Sequence, residues 1–143
     1  MSDIKAVQDF LLSYQNLEED RPVWVEMLGE KPLGYTVFLV PGKQVEEDIL
    51  GNKTVSYPFG FGAVEVLADN SALQAAEFYE EFADWLDEQT ESGNLPVLDT
   101  GKEAISIEAL DTATIVERAE KTGVFQILCR LIYEVRLERN KTL

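Results

Sequence analysis

The sequence predicts an α+β domain, a mixed or antiparallel sheet of about five strands packed by two helices in the order α-β-β-β-α-β-β. Three observations predict it. Two segments repeat apolar residues at three- and four-residue spacing, the period of a half-buried helix. Other runs are dominated by β-branched and aromatic residues and separated by Pro, Gly and acidic clusters. Those runs follow one another directly, which favours antiparallel or mixed pairing with helices on one face over alternating strand–helix units. At 143 residues the chain fits a single domain with a real core.

The first helix covers 3–14, where Ile4, Val7, Leu11 and Tyr14 share a face with Phe10 beside them. Ser2 or Asp3 can cap its start. An acidic turn from Asn16 to Asp20 follows. Strands are expected at Val23–Leu28, opened by Pro22, at Tyr35–Val40, and at Val55–Leu67. The third contains Pro58-Phe59-Gly60-Phe61-Gly62, which predicts a bend, a bulge or an edge position. Residues 41–54, with Glu46, Glu47 and Asp48, read as a mobile polar loop.

The second helix, 72–92, has the strongest signal. Ser71 and Gln74 have capping-box spacing. Ala75, Ala76, Phe78, Tyr79, Phe82, Ala83, Trp85 and Leu86 form a broad apolar stripe that must pack on a sheet. Glu77, Glu80, Glu81, Asp84, Asp87, Glu88 and Glu91 line the other side. Like charges at helical spacing cost a few tenths of a kcal/mol per pair, which raises the question of what this face meets. Gly93 offers a left-handed stop and Pro96 prevents continuation.

Residues 104–118 alternate through Ile105, Ile107 and Ala109, then Thr112, Thr114 and Val116, with Asp111 marking a bulge or a bend. Glu120 to Gly123 reads as a hairpin loop with Gly123 at a positive-φ position. The last strand places Phe125, Ile127, Cys129, Leu131, Tyr133, Val135 and Leu137 on one face and Val124, Leu128 and Ile132 on the other. It is apolar enough on both faces to be interior, or to be covered by a partner. Arg139 to Leu143 forms a polar tail.

Composition narrows the function. The net charge is −15; residues 1–100 carry 20 acidic and 5 basic side chains, whereas 101–143 carry 7 of each. Such a surface repels phosphates rather than holding them. There is no histidine, so the commonest general base and metal ligand are missing. The single Cys129 excludes an internal disulfide and the usual zinc clusters, and reads as a reduced structural thiol. Gly60-Phe61-Gly62 lacks the spacing of a phosphate or dinucleotide loop. Glu46, Glu47 and Asp48 would gather a cation only weakly. The expectation is therefore no catalytic, cofactor-binding or metal residues, and no enzyme. No apolar run approaches the roughly 20 residues of a membrane helix. The N-terminus has no basic region followed by an apolar stretch, so neither a signal peptide nor a membrane partner is expected.

Four segments carry a resemblance: Phe78-Tyr79-Glu80-Glu81-Phe82-Ala83-Asp84-Trp85-Leu86, Gly93-Asn94-Leu95-Pro96, Ser106-Ile107-Glu108, and Gly123 to Tyr133. On these the chain resembles a family of small phage and prophage proteins, the minor capsid proteins of long-tailed phages of Gram-positive bacteria. The match spans about residues 70–135, and the first half matches by element order alone. That order is also similar to tail-terminator proteins. The resemblance implies a tail-terminator-like fold and a ring, usually a hexamer, that closes the head-proximal end of the tail tube and joins it to the head connector. The expected partners are then further copies of the chain, tail-tube and head-connector proteins, and genomic DNA passing without specific binding. The expected location is the virion, after assembly in the host cytoplasm.

A ring needs a heterologous interface that closes by rotation. Candidates are the bent strand with Pro58, Phe59 and Phe61, the loop 41–54, and Val124, Leu128 and Ile132 of the last strand. The acids Glu77, Glu80, Glu81, Asp84, Asp87 and Glu88 are the candidate channel or partner face. Two other readings compete: an acidic adaptor or DNA-mimic inhibitor that occupies a basic partner, and a small carboxylate hydrolase.

Overall fold

A computed structural model describes residues 2–14, 23–25, 34–66, 71–110, 114–118 and 122–136. The chain is α+β, with helices α1 (Asp3–Leu11) and α2 (Ser71–Ser92) and strands β1 (Val23–Val25), β2 (Gly34–Leu39), β3 (Gln44–Glu47), β4 (Lys53–Val66), β5 (Lys102–Ala109), β6 (Thr114–Arg118) and β7 (Thr122–Val135). The seven strands occupy five positions of one sheet, in the order β1-β2-β4-β7-β5. β3 shares an edge of β4 with β2, and β6 shares an edge of β7 with β5. β1 runs parallel to β2 and every other pair is antiparallel.

β4 and β7 form the spine. They pair without a register shift from Lys53↔Val135 to Val66↔Thr122. The strand on each outer side is broken. β2 ends at Leu39 opposite Phe59 and β3 begins at Gln44 opposite Ser56, so four residues face Tyr57 and Pro58. Proline has no N–H to offer a neighbour, and the ladder lapses beside it. Gly42 turns this break at φ 114, and a Cβ there would already touch Pro58 Cγ at 3.8 Å. On the other side β5 ends at Ala109 opposite Cys129 and β6 begins at Thr114 opposite Gln126. Leu110 N–H still donates to Leu128 O at 2.7 Å.

These facts correct four expectations. Residues 41–54 are no mobile loop: they form β3 and a hairpin whose turn is built by Asp48. Its carboxylate accepts from Leu50 N at 2.8 Å and Asn52 N at 3.0 Å, with Gly51 at φ 89. Four polar and apolar residues, Gln44–Glu47, suffice for a strand because β4 supplies the partner. The Pro58–Gly62 stretch does not lie at an edge; β4 is central, and the irregularity appears in its neighbour. The alternation of 104–118 breaks at a bulge that leaves Ile105 unpaired between Ala104 and Ser106, so Ile107 is buried while Ile105 is exposed. Gly123 lies inside β7, paired with Glu65 and Arg118, rather than in a turn. The acidic turn at 16–20, residues 26–28, Asp111, the 120–121 turn and the tail lie outside the described residues.

Both helices cover one face of the sheet. Along β7, Ile127, Cys129, Leu131 and Tyr133 are buried under them, alternating with half-buried Gln126, Leu128, Arg130 and Ile132. β4 contributes Val55, Phe59 and Phe61 to the same core, and β2 contributes Tyr35 and Val37. Phe82 of α2 sits 4.8 Å from the Phe61 ring and 5.3 Å from Tyr14, and Trp85 reaches Phe10 at 5.1 Å and Tyr14 at 4.7 Å. The aromatic stripe thus joins both helices to β4; offset or tilted pairs of this kind add about 0.5–1.5 kcal/mol each beyond their burial.

The caps follow from local chemistry. Ser2 is the N-cap of α1, its hydroxyl accepting from Lys5 N at 3.2 Å. α2 stops at Gly93, φ 75, where Asn94 N–H returns to Gln89 O at 2.9 Å. In the last turn the Thr90 hydroxyl donates to Ile107 O at 2.9 Å and accepts from Ile107 N at 3.0 Å, closing the outer side of β5 at that residue.

Two predictions follow from this packing. Phe82→Ala removes the ring at the helix–sheet junction and should destabilise the domain by about 3–5 kcal/mol in urea unfolding. Thr90→Val leaves both Ile107 backbone groups without their partner and should cost about 1–3 kcal/mol in the same measurement.

Candidate interaction surfaces

The chain presents three surfaces where chemistry or contact is concentrated. The first is the outer side of α2. Glu77, Glu80, Glu81, Asp84, Asp87 and Glu88 are all exposed, as is Glu91. Phe82 and Leu86, three to four residues away on the opposite side, are wholly buried, so the stripe fixes the rotation of the helix and the acids follow outward. The expected acidic face is a continuous surface, with its charge in water where salt screens it.

The second is the face of the sheet turned away from the helices. Pro58, Leu128 and Ile132 lie there, half-buried, with Gly60 and Gly62 between the larger side chains. Pro58 stands opposite Arg130 and Gly60 opposite Leu128. Arg130 pairs with Glu108 across the strands, and its Nε is buried with no hydrogen-bond partner. The six residues expected to form one interface do not share a surface. Phe59 and Phe61 are 0% exposed and belong to the core, because the period of two puts them under α2 and turns the intervening residues outward. The backbone of Val124 is paired on both sides, with Val64 and Glu117; its side chain lies outside the described residues.

The third surface is the β3–β4 hairpin. All four residues of β3 are exposed. Val45 and Leu39 point to the helix side of the sheet, opposite Val55 and Phe59, but beyond the cover of the helices, and both are exposed. At the tip Ile49 is wholly exposed and Leu50 largely so. Glu46 and Glu47 lie on the strand, and Asp48 holds the turn. Among the described residues no group of three or more His, Cys, Asp or Glu is placed to hold a metal, and no helix is long and apolar enough to cross a membrane.

One cluster was not visible in the sequence. Asp3, the first residue of α1, accepts from Tyr133 Oη at 2.6 Å and from Lys102 Nζ at 2.9 Å. Lys102 also lies 5.4 Å from the centre of the Tyr133 ring. Burial works to raise the Asp3 pKa, but the hydrogen bonds from Tyr133 and Lys102 and the Lys102 charge outweigh it, and the carboxyl ends below its ordinary value. Burial and the neighbouring carboxylate push the Tyr133 phenol well above its own. The pair is therefore held as carboxylate and phenol, a clamp between α1 and the sheet rather than an acid–base couple. The sequence distance is 130 residues, which no local pattern can signal. Cys129 is buried, and burial pushes its thiol pKa far up, in keeping with a structural thiol.

The clamp has a pH signature. A depressed carboxyl contributes above its unfolded pKa, about 3.9, and the contribution disappears as pH falls through the lower native value. Asp3→Asn should cost about 1.5–3 kcal/mol at neutral pH, the worth of hydrogen bonds to a charged group. The gap between variant and parent in urea unfolding should close as the pH drops below about 4.

Comparison of the chain with protein-family models and with curated proteins returns no match.

Proposed function

We propose that this chain is a structural subunit of a phage head–tail joint, of tail-terminator or minor capsid type. Copies of it close into a ring that caps the tail tube and connects it to the head. The observation that carries the reading is the placement of apolar residues: both helices cover one face of the sheet, Pro58, Leu128 and Ile132 lie half-buried on the other, and Val45, Ile49 and Leu50 are exposed on the hairpin. A subunit that must touch neighbours needs apolar surface left over after its own core is complete. The sequence resemblance over 70–135 supports the same reading, and the strand arrangement is taken as tail-terminator-like on that basis. In the ring the acidic side of α2 faces the channel, where like charge lets DNA slide by without sticking.

A second reading rests on the same acids. A run of exposed carboxylates along one helix also suits an acidic adaptor or DNA mimic that occupies a basic protein. Salt separates the two, since such binding weakens as ionic strength rises whereas a ring held by apolar contacts persists.

Negative-stain microscopy and native mass measurement of the full chain, alone and with a tail-tube subunit, test the ring. The expected outcome is a closed ring in at least one condition; a monomer in both would overturn the reading. In assembled particles, Glu80→Lys with Asp84→Lys and Asp87→Lys should slow DNA ejection. An unchanged rate would remove the acidic face from the channel.

A further inference from the structure

The exposed apolar residues are not scattered. Among the described residues the large exposed hydrophobics are Leu12, Leu39, Val45, Ile49, Leu50, Val97, Ile105 and Leu110. Four lie at or beyond the β2/β3 edge: Leu39 and Val45 on the strands, Ile49 and Leu50 on the hairpin tip. Three lie at the opposite edge: Ile105 and Leu110 on β5 and at its end, and Val97 in the segment leading to it. Only Leu12 stands apart, at the end of α1. Isolated exposed hydrophobics need no explanation, but two groups at opposite edges of one sheet do.

The two edges also match in height. Glu47 pairs with Lys53, Lys53 with Val135, and Val135 with Lys102; Gln44 leads through Ser56 and Ile132 to Ser106. β3 and the first half of β5 therefore lie at the same level, on the two sides of the sheet. Their directions are opposite, as an antiparallel neighbour requires. The level of Val45 leads through Val55 and Tyr133 to Ala104, beside the bulged Ile105.

Electrostatics selects how two copies meet. The hairpin from Gln44 to Asn52 carries Glu46, Glu47 and Asp48 and no base, with Lys43 and Lys53 flanking it. Two hairpins facing each other across a two-fold axis would bring their acids together. The other edge is balanced: Lys102 and Arg136 stand against Glu103 and Glu108. Arg136 is exposed and bound to Glu103 only by a surface pair, so its guanidinium has donors to spare for a carboxylate of the hairpin.

We propose that the β3–β4 hairpin of one copy docks on the β5 edge of the next, a head-to-tail contact between opposite edges of the same sheet. The inference rests on the ring reading and specifies its joint. At the matched level Val45 meets Ile105, and the hairpin tip with Ile49 and Leu50 reaches past Lys102, where the acids of the hairpin approach Arg136. Side chains carry the contact rather than a long strand ladder, because Thr90 already occupies the β5 backbone at Ile107 and the bulge interrupts it at Ile105. The operation is heterologous, so it repeats from copy to copy and closes when the rotation allows.

Single-cysteine variants of the full chain, Val45→Cys and Ile105→Cys, test this with a short bis-maleimide cross-linker. Both sites are exposed and Cys129 is buried, so the introduced thiols are the ones that react. The expected result is a linked dimer in the mixture of the two variants and little in either alone, with the double variant giving a ladder of linked chains. Linkage within Val45→Cys alone, at the yield of the mixture, would mean a two-fold hairpin contact and overturn the proposal. No linkage in the mixture would also overturn it; if the parent chain still forms rings, the ring reading survives and this joint does not. A ladder that never closes into a ring in microscopy keeps the joint and sinks the ring reading. As a second measure, Ile49→Ser with Leu50→Ser should reduce the assembly to monomer while leaving the thermal midpoint unchanged. Retention of the parent's assembly mass would count against the joint.

Discussion

The pairing of β4 with β7 is the constraint from which the rest of the architecture follows. Two strands run side by side from Lys53↔Val135 to Val66↔Thr122 without a shift in register. Because that register never slips, one parity of residues faces the helices along the whole length and the other faces away. Val55, Phe59, Phe61, Ile127, Cys129, Leu131 and Tyr133 are committed to the core by this single alignment. The outer strands are free to break, and both do, since the spine alone already fixes the sheet. The helices dock where the spine presents aromatic surface, and α2 closes over Phe61 with Phe82.

Breaking the outer strands has a structural use. On one side the lapse beside Pro58 lets β3 swing into a hairpin of its own, away from the helices. On the other the bulge at Ile105 and the hydroxyl of Thr90 limit what another strand could add to β5. The two edges therefore differ in kind. One offers an acidic, apolar-tipped projection and the other a balanced, partly plugged rim. A sheet with unlike edges has a direction, a property that a head-to-tail contact uses and a two-fold contact does not.

The class of the fold and its two helices were legible because their signals are periodic and local. The apolar stripe of α2, its Gly93 stop and the Ser2 side of α1 all read directly from spacing. The hairpin was not legible: Gln44-Val45-Glu46-Glu47 is polar and acidic, and it becomes a strand only because β4 offers it a partner. Phe59 and Phe61 were misplaced for a related reason. Proline and glycine beside them signal irregularity, yet the irregularity belongs to the strand across from Pro58, a fact of pairing that a single segment does not encode. Ile105 inverted its side through one bulge. The acids of α2 were placed correctly because a helix face is set by its own buried stripe. The Asp3 clamp joins ends of the chain that share no pattern at all.

That clamp bears on how the protein is made. Asp3 opens α1, the first element of the fold, and Tyr133, to which it is fastened, lies on β7, the last. β4 likewise waits for β7. Val7, Phe10 and Leu11 of α1 share one core with Ile127, Cys129 and Leu131 of β7, so their packing is complete only once β7 is in place. The domain therefore closes as a whole rather than growing outward from α1.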